Sequence, residues 1–349
     1  MKTRTRNRLA MSVFLLVSCA LLVSCKKEEA AKKDSAPIRI GFSAASDDFL
    51  LERWNRDIKV FTSEANELGA EVILAKSPGD ALSQIPQIQY LLDKDIDVLV
   101  VIPQDMELLA GVLKKSMERG IPVLSYDRPV MGIPITGYVS FDNRQVGRLL
   151  AGALLEKVPV GNYLIVNGSV RDNNSYELNR GMHDVLDGPI EKGDIHVVEQ
   201  IWLDLWSFDE AKQKIGEVLA QTQDIDAIFC GNDQIADAAI RLLSERRLAG
   251  KVAVVGQDGD LVSCQHVVEG TQLMTVYKPL PLLARRAAGI AVRMARGQVP
   301  VRDRDFDNKS GTPIPFYVET PVAVFKDNMD ATVLKDGFHT REDVYRNMR

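Results

Sequence analysis

From residue 38 onward, short apolar runs alternate along the chain with longer stretches in which apolar residues recur every three or four positions. The short runs predict strands and the longer stretches predict amphipathic helices, because side chains alternate faces in a strand but repeat every 3.6 residues in a helix. The run at residues 98–102 is apolar at every position, which indicates a strand buried on both faces. The pattern therefore predicts parallel sheets covered by helices.

Two successive series of strands and helices are predicted. In the first series the strands lie at residues 38–43, 71–75, 98–102, 122–126 and 138–141, and the helices at 51–68, 81–92, 106–119 and 143–156. In the second series the strands lie at 162–166, 196–201, 227–230, 252–255 and 272–276, and the helices at 174–186, 208–220, 234–246, 261–268 and 280–296. Two such series predict an α/β protein with two doubly wound parallel-sheet lobes.

Polar residues follow the predicted strands at the carboxyl ends, where doubly wound sheets bind ligands. Six strand ends from the two series deliver charged or amide side chains, at residues 47–53, 127–128, 172–174, 232–233, 257–258 and 278. Trp54 and Trp206 follow two such ends; Trp54 has an equal claim to a place in the core. Polar residues also collect at strand ends for solvation alone, but six matched ends in two lobes favour a common small-molecule site.

Composition narrows the class of protein. The chain has 349 residues, is 46% hydrophobic and carries a net charge of −5, which favours two folded domains and gives no electrostatic reason to expect nucleic acid. No Gly-x-Gly-x-x-Gly or Walker loop is present, which argues against a nucleotide-dependent enzyme. The four histidines are scattered without metal-ligand spacing, so we expect neither a metal nor a cofactor.

The four cysteines are too few for a disulfide scaffold. Cys230 and Cys264 could pair in an oxidising compartment, but their apolar surroundings favour buried thiols.

Residues 1–24 have the pattern of a signal peptide, with four basic residues before the apolar run at 9–23. Ser24 and Cys25 follow this run, and a charged tether comes next, so that residues 25–37 resemble the lipidated start of a bacterial lipoprotein. A plain signal peptide with an incidental cysteine is the alternative. We expect an extracytoplasmic protein held to a membrane by a lipid on Cys25.

The same strand ends carry a family resemblance. The stretches concerned are Leu51-Glu-Arg-Trp54, Tyr126-Asp-Arg128, Phe141-Asp-Asn143, Asp172-Asn-Asn174, Gly231-Asn-Asp233, Gly256-Gln-Asp258, Thr275-Val-Tyr-Lys-Pro279 and Lys335-Asp-Gly-Phe-His339. In them the chain resembles the type I periplasmic sugar-binding proteins, and within that family the members that bind D-xylose for ABC importers. The resemblance extends from about residue 38 to 339.

The resemblance implies two interleaved lobes joined by a hinge of three crossing segments. One lobe would contain residues 38–141 and 279–311, and the other residues 142–278 and 312–349. It also implies ten sugar contacts, which are Glu52, Arg53, Asp127 and Arg128 on the first lobe, and Asp172, Asn174, Trp206, Asn232, Asp258 and Lys278 on the second lobe and hinge.

These residue types suit a sugar, because carboxylate, amide and guanidinium groups match hydroxyls that donate and accept hydrogen bonds, and an indole covers ring C–H groups. The resemblance implies a monomeric, non-enzymatic binding protein that passes a monosaccharide to an ABC permease and ATPase, with D-xylose as the preferred sugar. The alternative roles are a sugar-sensing adaptor for a chemoreceptor or sensor kinase, a repressor effector domain and a carbohydrate-active enzyme. The alternative ligand is another aldose, such as glucose or ribose.

Overall fold

The computed structural model describes residues 37–44, 51–76 and 80–348, with side chains described for all of these except residues 51–53. The predicted signal peptide at 1–24, Cys25 and the tether up to residue 36 lie outside the described residues. The backbone of Glu52 and Arg53 belongs to a helix, but their side chains are outside the described set.

The strands, in chain order, are β1 Ile38–Ala44, β2 Ala70–Lys76, β3 Val98–Ile102, β4 Val123–Tyr126, β5 Gly137–Phe141, β6 Gly161–Ser169, β7 Ile195–Leu203, β8 Ala227–Cys230, β9 Ala253–Gln257, β10 Met274–Tyr277, β11 Arg304–Phe306, β12 Ile314–Glu319 and β13 Val322–Val324. The helices are α1 Leu51–Glu67, α2 Ala81–Leu92, α3 Ala110–Glu118, α4 Asn143–Lys157, α5 Asn173–Lys192, α6 Phe208–Gln221, α7 Asp233–Glu245, α8 Leu261–Glu269, α9 Leu280–Ala295 and α10 Arg341–Val344. A π-helical turn covers Asp330–Leu334.

The strands form two sheets, one in each lobe. The first has the order β11-β12-β5-β4-β3-β1-β2 and the second the order β13-β10-β9-β8-β6-β7. Neighbouring strands from β12 to β1 and from β10 to β7 pair in parallel, whereas β11 and β13 are antiparallel to their neighbours. The predicted α/β fold with two doubly wound lobes is therefore confirmed, with antiparallel edge strands that the sequence pattern did not indicate.

Helices cover both faces of the second sheet. On β6, Leu164 and Val166 pack into a core with residues of α6 and α7, while Tyr163 and Ile165 pack into a second core with residues of α4 and α5. Successive side chains of one strand therefore enter opposite cores, which requires an apolar residue at every position. The continuous apolar runs in the sequence follow from this burial.

The chain passes between the two sheets three times, after β5, after β10 and after β12. The helix that follows the first crossing, α4, packs against α5 and the second sheet, and α9, which follows the second crossing, packs against α1 and the first sheet. The expected assignment of residues from 312 onward to the second lobe is wrong for β12. Phe316 pairs with Tyr138 in the first sheet and stacks on its ring at 4.5 Å, so the third crossing follows Glu319.

Candidate functional site

The carboxyl ends of strands from both sheets meet around a small enclosed space of about 20 Å³. Nine side chains line it, namely Asp127, Arg128, Asp172, Asn174, Trp206, Asn232, Gln257, Asp258 and Lys278. Eight of the ten sequence-predicted site residues are thus brought together, and the other two, Glu52 and Arg53, have side chains outside the described set. Gln257 is the lining residue that the selection of site residues missed, although it stands directly before Asp258.

The Asp172 side chain is held in place by the start of α5. It is the N-cap of that helix, and its Oδ1 accepts a hydrogen bond from the Asn174 backbone N–H at 2.9 Å. Its Oδ2 accepts from Trp206 Nε1 at 3.1 Å and pairs with Arg128 Nε at 3.0 Å. Helix capping therefore fixes one carboxylate oxygen and leaves the other facing the indole and the guanidinium.

The Arg128–Asp172 ion pair joins the two lobes and is almost fully buried, with side-chain exposures of 5% and 4%. Burial raises the pKa of Asp172, and the positive charge of Arg128 opposes that rise. The Arg128 guanidinium also lies 5.5 Å from the Trp54 ring. Trp54 itself is buried, so it supports the arginine from the first lobe.

Two glycines make room for the Trp206 indole. A Cβ atom on Gly168, in β6, would lie 2.0 Å from Trp206 Cη2, and one on Gly231, just after β8, would lie 3.3 Å from Cζ3. Gly168 must therefore lack a side chain for the ring to lie against β6, whereas a Cβ atom on Gly231 would first meet the Gly168 backbone N, at 2.8 Å. The ring also lines the enclosed space, where an indole can cover the hydrocarbon face of a ligand.

Asn174 and Asp127 connect the lobes through a set of short hydrogen bonds. The Asp127 carbonyl accepts from Asn174 Nδ2 at 3.0 Å, Tyr138 Oη at 3.0 Å and Ser140 Oγ at 2.7 Å. Asn174 Oδ1 lies 2.9 Å from Asn143 Nδ2 and 3.2 Å from Tyr138 Oη. These contacts use the acceptor capacity of the Asn174 amide and leave one N–H for a ligand.

The side-chain amides of Asn232 and Gln257 are each oriented by a hydrogen bond to the backbone at one of their two polar atoms. Asn232 caps α7 by accepting from the Ile235 backbone N–H at 3.0 Å, which leaves its Nδ2 as a donor. Gln257 Nε2 donates to the Gly231 carbonyl at 2.7 Å. Its Oε1 has no hydrogen-bond partner among the described residues and is available as a buried acceptor. Together the two amides offer a donor and an acceptor from the same end of the second sheet.

Lys278 and Asp258 complete the site near the second crossing between the lobes. Lys278 Nζ lies 3.5 Å from Asp258 Oδ1, and the lysine side chain is 4% exposed. Asp258 has a φ of 106°, in the left-handed region that residues other than glycine rarely adopt. Such strain persists only where surrounding contacts hold it, and it is common in binding sites.

The site combines three carboxylates, two cations, three amides and one indole around a space of about 20 Å³. That space holds about one water molecule, so a larger ligand enters only if the lining residues move apart. Donors, acceptors and one aromatic ring line the same space, which suits a small neutral polyol. No cluster of three or more His, Cys, Asp or Glu side chains able to hold a metal occurs among the described residues.

Two further observations concern the thiols and the length of the helices. Cys230 and Cys264 are free and buried, and burial raises the pKa of both thiols. Within residues 37–44, 51–76 and 80–348, no helix has the length and apolar character needed to cross a membrane.

Two hinged α/β lobes with a polar site between the carboxyl ends of their strands define a class of proteins that bind small molecules by enclosing them. A family model described as the periplasmic binding protein domain matches residues 46–298. The chain belongs to this family.

Curated relatives match nearly the whole chain. It is 41% identical over 312 residues to the D-xylose-binding periplasmic protein of Haemophilus influenzae, covering 89% of this chain and 93% of that protein. Identity to the D-xylose-binding periplasmic protein of Escherichia coli is 41% over 308 residues, covering 88% and 92%. An ABC transporter solute binding protein from Clostridium phytofermentans with bound β-D-glucose is 25% identical, with a TM-score of 0.80 and coverage of 88% and 99%.

Proposed function

We propose that this protein binds one monosaccharide between its two lobes and releases it unchanged, and that D-xylose is its preferred ligand. The observation that carries the proposal is the convergence of nine polar and aromatic side chains from both lobes on one enclosed space, eight of which the sequence predicts. The family resemblance assigns those eight residues to sugar binding, and the 41% identity to two D-xylose-binding periplasmic proteins supports the choice of sugar.

The chemistry of the site supports a pyranose. The carboxylates of Asp127 and Asp258 can accept hydrogen bonds from hydroxyls, and Arg128 and Lys278 can donate to them. The flat face of Trp206 would cover ring C–H groups. Each buried polar group left without a hydroxyl costs about 1–3 kcal/mol, so an epimer with one misplaced hydroxyl binds at least several times more weakly.

Binding would proceed by hinge closure. The lobes, which we assign to residues 38–141 with 279–319 and to residues 142–278 with 320–349, separate at the Arg128–Asp172 pair to admit the sugar. Contacts from both lobes to the sugar then favour the closed form, because a ligand shifts an equilibrium toward the state that it binds more tightly. No covalent step is needed, which is consistent with a binding protein rather than an enzyme.

The family supports an extracytoplasmic location and delivery of the sugar to an ABC permease and ATPase. We further propose that the protein acts as a monomer and is held to the membrane by a lipid on Cys25. Mass spectrometry of Cys25-containing peptides from native membranes tests the anchor directly: a diacylglyceryl adduct supports it, and an unmodified cysteine contradicts it.

Calorimetric titration with D-xylose, D-glucose, D-ribose and D-allose tests the proposed ligand. We expect D-xylose to bind most tightly and Asp258→Asn to weaken its binding at least about tenfold, since a hydrogen bond to a charged group is lost. Asp237→Asn is the matched control, because Asp237 pairs with Arg241 and His266 and does not line the site. Tighter binding of another aldose would reassign the ligand, and no binding of any sugar would refute the proposal.

A further inference from the structure

A buried carboxylate stands directly behind the site without lining it. Asp233, the first residue of α7, is 1% exposed. Its Oδ1 accepts hydrogen bonds from Gln272 Nε2 at 3.1 Å and Thr275 Oγ1 at 3.0 Å. Its Oδ2 lies 2.8 Å from Thr275 Oγ1 and accepts from the Asp260 backbone N–H at 2.9 Å. Asp233 therefore ties the start of α7 to β10 and to the turn that follows β9.

The turn held by Asp233 is the one that carries Asp258 into the site. Asp258 and Gly259 have φ angles of 106° and 70°, so two successive residues occupy the left-handed region. The Gly259 N–H donates to Thr275 Oγ1 at 3.2 Å, and the Asp260 N–H donates to Asp233. The Asp233 carboxylate and the Thr275 hydroxyl therefore hold this strained turn by accepting hydrogen bonds from two of its backbone N–H groups.

The surrounding sequence leaves room for this arrangement. A Cβ atom on Gly256, in β9, would lie 2.4 Å from Asp233 Oδ1, so only glycine at that position lets the carboxylate lie against the strand. Burial, together with the negative charges of Asp260 and Asp258, raises the pKa of Asp233 well above its usual value. Keeping an ionised acid buried in such surroundings costs stability.

We infer that Asp233 is a positioning residue for ligand binding: through Thr275 and the Asp260 N–H, it holds the Asp258 turn in the conformation that presents the Asp258 carboxylate to the sugar. This inference rests on the proposed sugar-binding function. It adds a residue that does not touch the ligand, and it explains why the Asn232–Asp233 pair combines a side chain that lines the site with one that does not.

Asp233→Asn is the sharpest perturbation. Each carboxylate oxygen faces an N–H donor, from Gln272 on one side and from Asp260 on the other. The amide NH₂ of asparagine would therefore oppose a donor in either orientation, and Gln272 is further fixed by donating to the Met274 carbonyl at 3.1 Å. The volume of the side chain is unchanged, so packing is retained while the fastening of the turn is lost.

The experiment compares Asp233→Asn with Asp237→Asn, a second acid on α7 that also bonds to α8 through His266 but has no contact with the Asp258 turn. We expect Asp233→Asn to lower D-xylose affinity at least about tenfold and to speed amide hydrogen exchange at Asp260 in the sugar-free protein. Asp237→Asn should leave both unchanged. A core variant such as Leu243→Ala, with an equal or larger loss of melting temperature, should bind D-xylose normally.

Thr275→Val supplies a second route if Asp233→Asn does not fold, because it removes the hydroxyl between Asp233 and Gly259 while keeping the side-chain shape. Weaker binding in every one of these two variants that folds, with unchanged binding in Asp237→Asn, supports the inference. Wild-type affinity in Asp233→Asn or in Thr275→Val overturns it, as does an equal loss of affinity in Leu243→Ala. Failure of the wild-type protein to bind any aldose refutes the proposed function instead.

Discussion

Removing the charge of Arg128 should weaken sugar binding and also destabilise the protein, in a way that depends on pH. Arg128→Met keeps an unbranched side chain against Trp54 but leaves the Asp172 carboxylate, 4% exposed, without its ion-pair partner. Breaking a buried ion pair by removing one member costs about 3–5 kcal/mol. We expect a loss of that order in the free energy of unfolding at about pH 7.5. D-xylose affinity should fall at least about tenfold.

The pH dependence follows from Asp172. Burial already raises its pKa, and Arg128 limits the rise, so the variant should have a still higher pKa at this carboxyl. A raised pKa means that the native state binds more protons than the unfolded state between the two pKa values, so stability falls as the pH rises through that interval. The destabilisation by Arg128→Met should therefore shrink when the pH is lowered from about 7.5 to about 5.

Urea denaturation at both pH values measures the effect, with Arg144→Met as the control. Arg144 is half exposed, and with Arg148 it holds the pKa of Asp184 at about 2. That carboxyl stays ionised at about pH 5 with or without Arg144, so the small loss in the control should not change over this range. A loss for Arg128→Met below about 1 kcal/mol, or one equal at both pH values, would show that the pair is not a buried interaction.

Two further predictions concern packing at the second sheet. Gly168→Ala should displace the Trp206 indole and weaken sugar binding by severalfold to about tenfold. Gly188→Ala is the control, because a Cβ atom there meets no neighbouring atom and should leave binding unchanged. Calorimetry measures the affinity and near-ultraviolet circular dichroism reports the indole environment; equal affinities of the two variants would contradict the prediction. Because burial raises the pKa of both thiols, Cys230 and Cys264 should resist alkylation in the native protein and react once it is unfolded in guanidinium; peptide mass spectrometry detects either result, and rapid native labelling would show that the thiols are accessible.

Most of the regular structure could be predicted from apolar periodicity. β3 lies at the predicted residues 98–102, and α2 at the predicted residues 81–92, because burial on both sheet faces or along one helix face leaves a clear pattern. The short edge strands β11 and β13 span three residues each, too few for a period to be recognised. β12 was assigned to the wrong lobe because its partner, β5, lies more than 170 residues earlier in the chain.

The site was predictable to the extent that it follows strand ends. The rule for doubly wound sheets selects Asp127, Asn232 and Asp258 from their positions alone. The same rule also selects Gln257, the last residue of β9, which the family resemblance does not assign to the sugar. The supporting contacts of Gly168 with Trp206 join distant segments, and no local pattern in the sequence reports such an approach.

A crystal structure of the protein grown with D-xylose tests the central claim most directly. The account predicts one pyranose between the two sheets, with its hydroxyls bonded to Asp127 and Asp258 from opposite lobes and its ring against Trp206. A sugar found elsewhere, or these carboxylates turned away from a sugar-free interlobe space at saturating D-xylose, would contradict it.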